Sequence, residues 1–120
     1  MNVSKDKIVK GLLNYIRTDV YSLVTDNHFK FILSAVTAAL EVNPSLSDVF
    51  FSNPLIKAAF SESDGQYDIN VAEKILTKAV NDAGSISISV PAIPLIMPGT
   101  QEMIFKSQDI ANLFMRIREV

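Results

Sequence analysis

Apolar residues recur along the first half of this chain at helical steps. Val9, Leu12, Leu13, Ile16, Val20 and Leu23 are spaced by three or four residues, so they form one apolar face of a helix that Ser4 caps and that runs to about residue 24. The stretch 28–42, HFKFILSAVTAALEV, behaves differently. At about 100° per residue its polar positions Lys30, Ser34, Thr37 and Glu41 fall in one stripe roughly 60° wide, and nearly every other position is apolar. A helix apolar around most of its circumference needs cover on several sides, so 28–42 is expected to be the central core helix. With about 15 residues and a lysine and a glutamate inside it, the stretch is too short and too charged to span a bilayer. Thr25-Asp26-Asn27 ends the first helix and caps the second, which predicts a helical hairpin.

Asn43-Pro44 and Asn53-Pro54 each place a capping side chain before a proline suited to the first helical position. Two short helices, about 45–51 and 54–60, follow from them. The polar run 61–68 has Asp64-Gly65 as its turn. Asn70 and Glu73 then have the spacing of a capping box. Val71, Ala72, Ile75, Leu76, Ala79 and Val80 form the buried face of that helix, and Gly84 suits its C-terminus. At Ser85 the period changes to two. Ile86, Ile88 and Val90 alternate with serines, the signature of a half-buried strand. Residues 101–106 alternate less cleanly, with Met103 and Phe105 on one side. Ser107 and Asp109 start a last helix whose apolar stripe is Ile110, Leu113, Phe114 and Ile117, with Arg116 and Arg118 near its C-terminus. The pattern predicts one α+β domain over 1–120, mostly helical. About five helices surround the apolar helix 28–42, and a C-terminal β-hairpin leads into the final helix.

Composition narrows the function more than it defines it. The 120 residues are 48% hydrophobic and 20% charged, with a net charge of −2. That is ordinary for a folded domain and supplies no global attraction to nucleic acid or anionic lipid. Cysteine is absent, which removes disulfides, thiolate catalysis and cysteine metal sites. Asp6, Asn14 and Arg17 interrupt any apolar leader, so no signal peptide is read, and the expected place is the cytoplasm, away from the membrane.

No motif points to catalysis, a cofactor or a metal. With Gly65 at the sixth position of a calcium loop, the first position would be Phe60 and the twelfth Val71, so both anchoring ligands fail. His28 is the sole histidine and has no HExxH or nucleophile elbow to join. The glycines Gly11, Gly65, Gly84 and Gly99 assemble no phosphate-binding fingerprint. Lys7, Lys10 and Arg17 share one face of the first helix and are the candidate phosphate contacts, although a solvated face is the commoner origin of such a row. Pro91 and Pro94 form a PxxP inside the apolar run PAIPLIMPG, which lacks the adjacent basic residue expected of an exposed polyproline ligand. Its prolines cannot pair fully in a central strand. Ile93, Leu95, Ile96 and Met97 are therefore the candidate contact patch for a second copy of the chain or a protein partner.

The DNHFKF opening of the helix at 28–42, the two Asn-Pro pairs, the DGQYDI turn and the VPAIP segment resemble short acidic proteins encoded in phage or prophage regions of Gram-positive bacteria. That resemblance implies an accessory or assembly protein and carries no site. The expected function is a non-enzymatic interaction or assembly module that works through an apolar surface. The alternative is a nucleic-acid-associated accessory protein using the first helix.

Overall fold

The structure, a computed structural model, describes residues 1–90 and 101–120, without the side chains of residues 89, 90 and 101. A short strand β1 (Asn2–Ser4) leads into α1 (Lys5–Tyr15), which continues through a π-helical turn (Ile16–Val20) and α2 (Tyr21–Leu23). Then come α3 (Asn27–Val42), a 3-10 turn (Pro44–Ser47), and two short helices, α4 (Asp48–Phe51) and α5 (Pro54–Ala59). Strands β2 (Glu62–Ser63) and β3 (Gln66–Asp68) precede α6 (Ile69–Ala83), and β4 (Ile86–Val90) and β5 (Gln101–Phe105) precede α7 (Ser107–Glu119). The protein is mostly helical α+β, as its periodicity predicts.

The helix at the middle is α1, with α7 laid against it and α6 against α7. Ile8, Val9, Gly11, Leu12, Leu13 and Tyr15 are all buried, so α1 is covered over most of its circumference. Gly11 explains how closely α7 approaches: a Cβ placed on it would lie 2.5 Å from the Cα of Ile117. From α7 come Ile110, Leu113, Phe114 and Ile117, and from α6 come Ile69, Ala72, Leu76 and Val80, all buried. Phe114 stacks on Phe60 with ring centres 5.7 Å apart, and Phe51 and Tyr67 meet Phe60 edge-on.

The placement of 28–42 is the main correction. On α3 only Thr37 and Leu40 are buried, so this helix rests against the outside of the π-helical turn and the 3-10 turn. The polar stripe marks solvent only in part: Ser34 and Glu41 are exposed, but Thr37 is buried. Thr37 is buried because its hydroxyl donates to the Ser34 carbonyl at 3.0 Å, needing no partner outside the helix. Glu41 accepts from Arg17 at 2.8 Å and so faces the first helical segment.

A second difference is the three-stranded antiparallel sheet β1-β3-β2, where a polar loop was expected. Asp64 and Gly65 have φ of 51° and 75°, the backbone that a two-residue type I′ hairpin loop requires. Val3 lies opposite Tyr67. The cap of α6 moves with the sheet, because Asp68 rather than Asn70 accepts from the Asn70 and Val71 amides at 3.0 and 3.2 Å. Glu73 pairs instead with Arg118 at 2.7 Å. Four of the other start and stop signals act where they stand, whereas Ser107 does not cap α7: its hydroxyl donates to Asn81 at 3.3 Å, and Asp109 accepts the Lys106 amide. Ser4 accepts from the Lys7 amide, Asp26 from Phe29, and Asn53 from Leu55 and Ile56. Gly84, at φ 84°, closes α6. The Asn43 side chain caps no amide and accepts from the Ser45 hydroxyl, while its own amide closes α3 on the Ala39 carbonyl. The β4–β5 pair runs antiparallel from Ile86 opposite Phe105 to Val90 opposite Gln101. Ile86, Ile88 and Phe105 point into the core.

Candidate functional site

Two surfaces meet on α3. On one side, the end of α1, the π-helical turn, α3 and β5 enclose a groove of about 370 Å³. Tyr15, Ile16 and Val20 form one wall, Phe29, Leu33 and Val36 the second, and Met103 and Phe105 the floor. Tyr15 stacks on Phe105 with ring centres 6.1 Å apart.

Two of the three carboxylates that line the groove, Asp19 and Asp109, are already engaged. Asp19 receives both the Nε and a terminal nitrogen of Arg116 at 2.8 and 3.1 Å, a two-pronged pair that ties the π-helical turn to α7. This bond holds the Arg116 pKa above its ordinary value, with Glu119 adding to it. Asp109 accepts the Lys106 amide at 2.8 Å and so fixes the start of α7. Burial pushes the Tyr15 phenol well above its usual pKa, and the Asp109 and Asp19 carboxylates add to the effect. The phenol therefore stays neutral through the physiological range. Lys5, at the other end of α1, donates to Asp48 at 2.7 Å and lies over the Phe51 ring, and the Asp48 bond raises its pKa. Tyr15, Lys5 and Arg116, all shifted upward, are not poised to exchange a proton near neutral pH.

The other surface is the outer face of α3. Phe31 and Val42 keep 70% and 86% of their surface open, and Ala38 is also exposed. Along the helix Phe31, Ala35, Ala38 and Val42 follow one another by four, three and four residues, which sets them in a single stripe. Leu23 and Phe29, 79% and 40% exposed, belong to the groove side of the helix and not to this stripe. No known protein family, curated protein or solved structure matches this chain.

The predicted basic row is dispersed by its neighbours. Arg17 pairs with Glu41, and Lys10 with Asp6 at 3.3 Å, leaving Lys7 as the member without an ion pair among the described residues. His28 is exposed in the first turn of α3. Among the described residues no group of three or more histidine, aspartate or glutamate side chains could hold a metal, and no helix is long and apolar enough to cross a membrane. The patch Ile93, Leu95, Ile96 and Met97, with Pro91 and Pro94, lies outside the described residues. Sequence reasoning passed over the outer stripe of α3 because it assigned every apolar position of that helix to the core. The signal available in the sequence was the 4-3-4 spacing of the stripe.

Proposed function

We propose that this protein is a non-enzymatic interaction module that docks a protein helix on the outer face of α3. One observation carries the reading: a helix rich in large apolar side chains buries only Thr37 and Leu40 and turns Phe31 and Val42 outward. Fully burying such side chains is worth about 1.5–3 kcal/mol each, so a partner that covers both gains several kcal/mol from them alone. Contiguous apolar surface of this kind marks interaction sites on monomers. The ion pairs of Arg17 and Lys10 argue for this reading over nucleic-acid binding through the first helix. An accessory or assembly role, as in the phage and prophage proteins that the sequence resembles, fits a module of this type.

The test is site-specific photocrosslinking in the producing cell. A benzophenone side chain at Ala38 should give a protein adduct, and the same group at the exposed Lys74 of α6 should give none. Absence of any adduct at Ala38, or equal labelling at both positions, would refute the proposal.

A further inference from the structure

We propose that the groove between α3 and β5 binds a small molecule with an apolar body and one protonated amine. The groove lies on the opposite side of α3 from the outer stripe, so this site is independent of helix docking there.

The walls suit an apolar body. The volume of about 370 Å³ falls within the range of small-molecule pockets, about 300–1,000 Å³. Tyr15 and Phe105 are buried and already stacked on each other, so the floor is preformed. Leu23, Phe29 and Ile104 also line the groove and remain exposed. A body lying along the groove covers all three, which is favourable in proportion to the apolar area removed from water. Ile16 and Val20, on the opposite wall, belong to the π-helical turn. Such turns are rare inside α-helices and occur mostly at functional sites. At about 30 Å³ per water-sized group, the space holds roughly a dozen non-hydrogen atoms. That is the size of a chain of about ten carbons with its head group, and too small for an element of another protein.

Charge selects the head group. Asp19, Glu102 and Asp109 line the groove, and among the described residues no lysine, arginine or histidine does. Asp19 is satisfied by Arg116, and Asp109 by the Lys106 amide. Glu102 is exposed and has no hydrogen bond or ion pair among the described residues, which leaves it open to a cation. Beside apolar walls an opposite charge attracts more strongly than in open water. Tyr15, Phe29 and Phe105 line the same space, and aromatic rings attract ammonium groups. A fatty acid would fit the walls and be repelled by the carboxylates. An alkyl amine fits both.

The test titrates decylamine, decanol and decanoate, each below its micelle concentration, into the full chain labelled with 15N at pH 7. They share one chain and differ in head-group charge, the amine being protonated at this pH. Amide shifts should centre on β5 and the π-helical turn. Decylamine should bind about tenfold more tightly than decanol, and decanoate more weakly than decanol. Glu102→Gln should remove most of the gap between amine and alcohol and leave decanol binding and the melting curve unchanged. Equal affinities for the three head groups, or a gap that survives Glu102→Gln, would overturn the amine. Absence of binding by all three, or shifts centred on Phe31 and Val42, would overturn the groove as a site. Neither failure alters the adduct expected at Ala38, so the two readings are judged separately.

Discussion

Replacing Gly11 by alanine should destabilise this protein, although the same change in an exposed helix stabilises by about 1 kcal/mol. The added methyl would lie 2.5 Å from both the Cα and the Cγ1 of Ile117 and 2.9 Å from its amide nitrogen, where ordinary contact is 3.4–4 Å. Two of those three atoms are backbone, so no rotamer change relieves the overlap. Helices α1 and α7 must instead separate by about 1 Å, which forfeits a quarter to a half of the dispersion energy between facing atoms. Overpacking of a tight core costs about 1–3 kcal/mol, and a backbone collision belongs at the upper end. After the gain in helix propensity the net loss is about 2 kcal/mol, or roughly 8 °C in Tm. Urea denaturation monitored by circular dichroism gives the free energy directly. Asn14→Ala, on the exposed side of α1, is the control and should change stability by no more than about 0.5 kcal/mol. Adding Ile117→Ala to Gly11→Ala removes only the side-chain part of the clash and should rescue incompletely. A Gly11→Ala protein as stable as the parent would show that α1 and α7 are not in this close contact.

Three further outcomes follow from the same contacts. Tyr15 has its pKa raised by burial, so its contribution to stability is fully present below the ordinary phenol value of about 10 and is lost as pH rises above it. Unfolding free energies of the parent should fall by up to about 1.4 kcal/mol per pH unit more steeply than those of Tyr15→Phe above pH 10, and equal slopes would contradict the burial. Leu40→Ala should cost about 2 kcal/mol, because Leu40 is one of the two buried residues of α3, whereas Val42→Asp should stay within about 0.5 kcal/mol; thermal melts of the two variants decide between a docked and a central α3. Gly65→Ala should cost about 1 kcal/mol by forcing a Cβ into left-handed backbone, and an unchanged melt would speak against the type I′ turn.

Most of the helices were legible because their termini are encoded locally. Ser4, Asp26, Asn53 and Gly84 satisfy end groups within three or four residues of themselves, so no knowledge of the rest of the fold was needed. The β4 strand was legible for a similar reason, since alternation of Ile86 and Ile88 with serine reports a face without reporting a partner. The β1-β3-β2 sheet was not legible. Its strands are two or three residues long, too short for a period, and β1 pairs with residues more than sixty positions away. Asp64-Gly65 was the available clue, because that dipeptide favours a two-residue hairpin loop as strongly as any. The cap of α6 was misplaced by two residues because Asp68 serves the end of β3 and the start of α6 at once.

The case of α3 shows where hydrophobic periodicity stops being informative. An apolar circumference states that a helix gains by being covered; it does not state which molecule covers it. The polar stripe pointed to the solvent side, yet three of its four members have a use that does not depend on water. Thr37 satisfies itself on the Ser34 carbonyl, Glu41 reaches Arg17, and Lys30 lies over the Tyr21 ring. A side chain satisfied within its own helix or by one long-armed cation can face protein at little cost. The face turned outward is then chosen by competition for α1, which Ile110, Leu113, Phe114 and Ile117 of α7 have already covered. What remains on α3 is the stripe with small residues at its centre and large ones at its ends, a composition suited to close approach by another helix. The same residues that misled the assignment of a core are therefore those that carry the proposed interface, because burial within a fold and burial between folds draw on the same apolar surface.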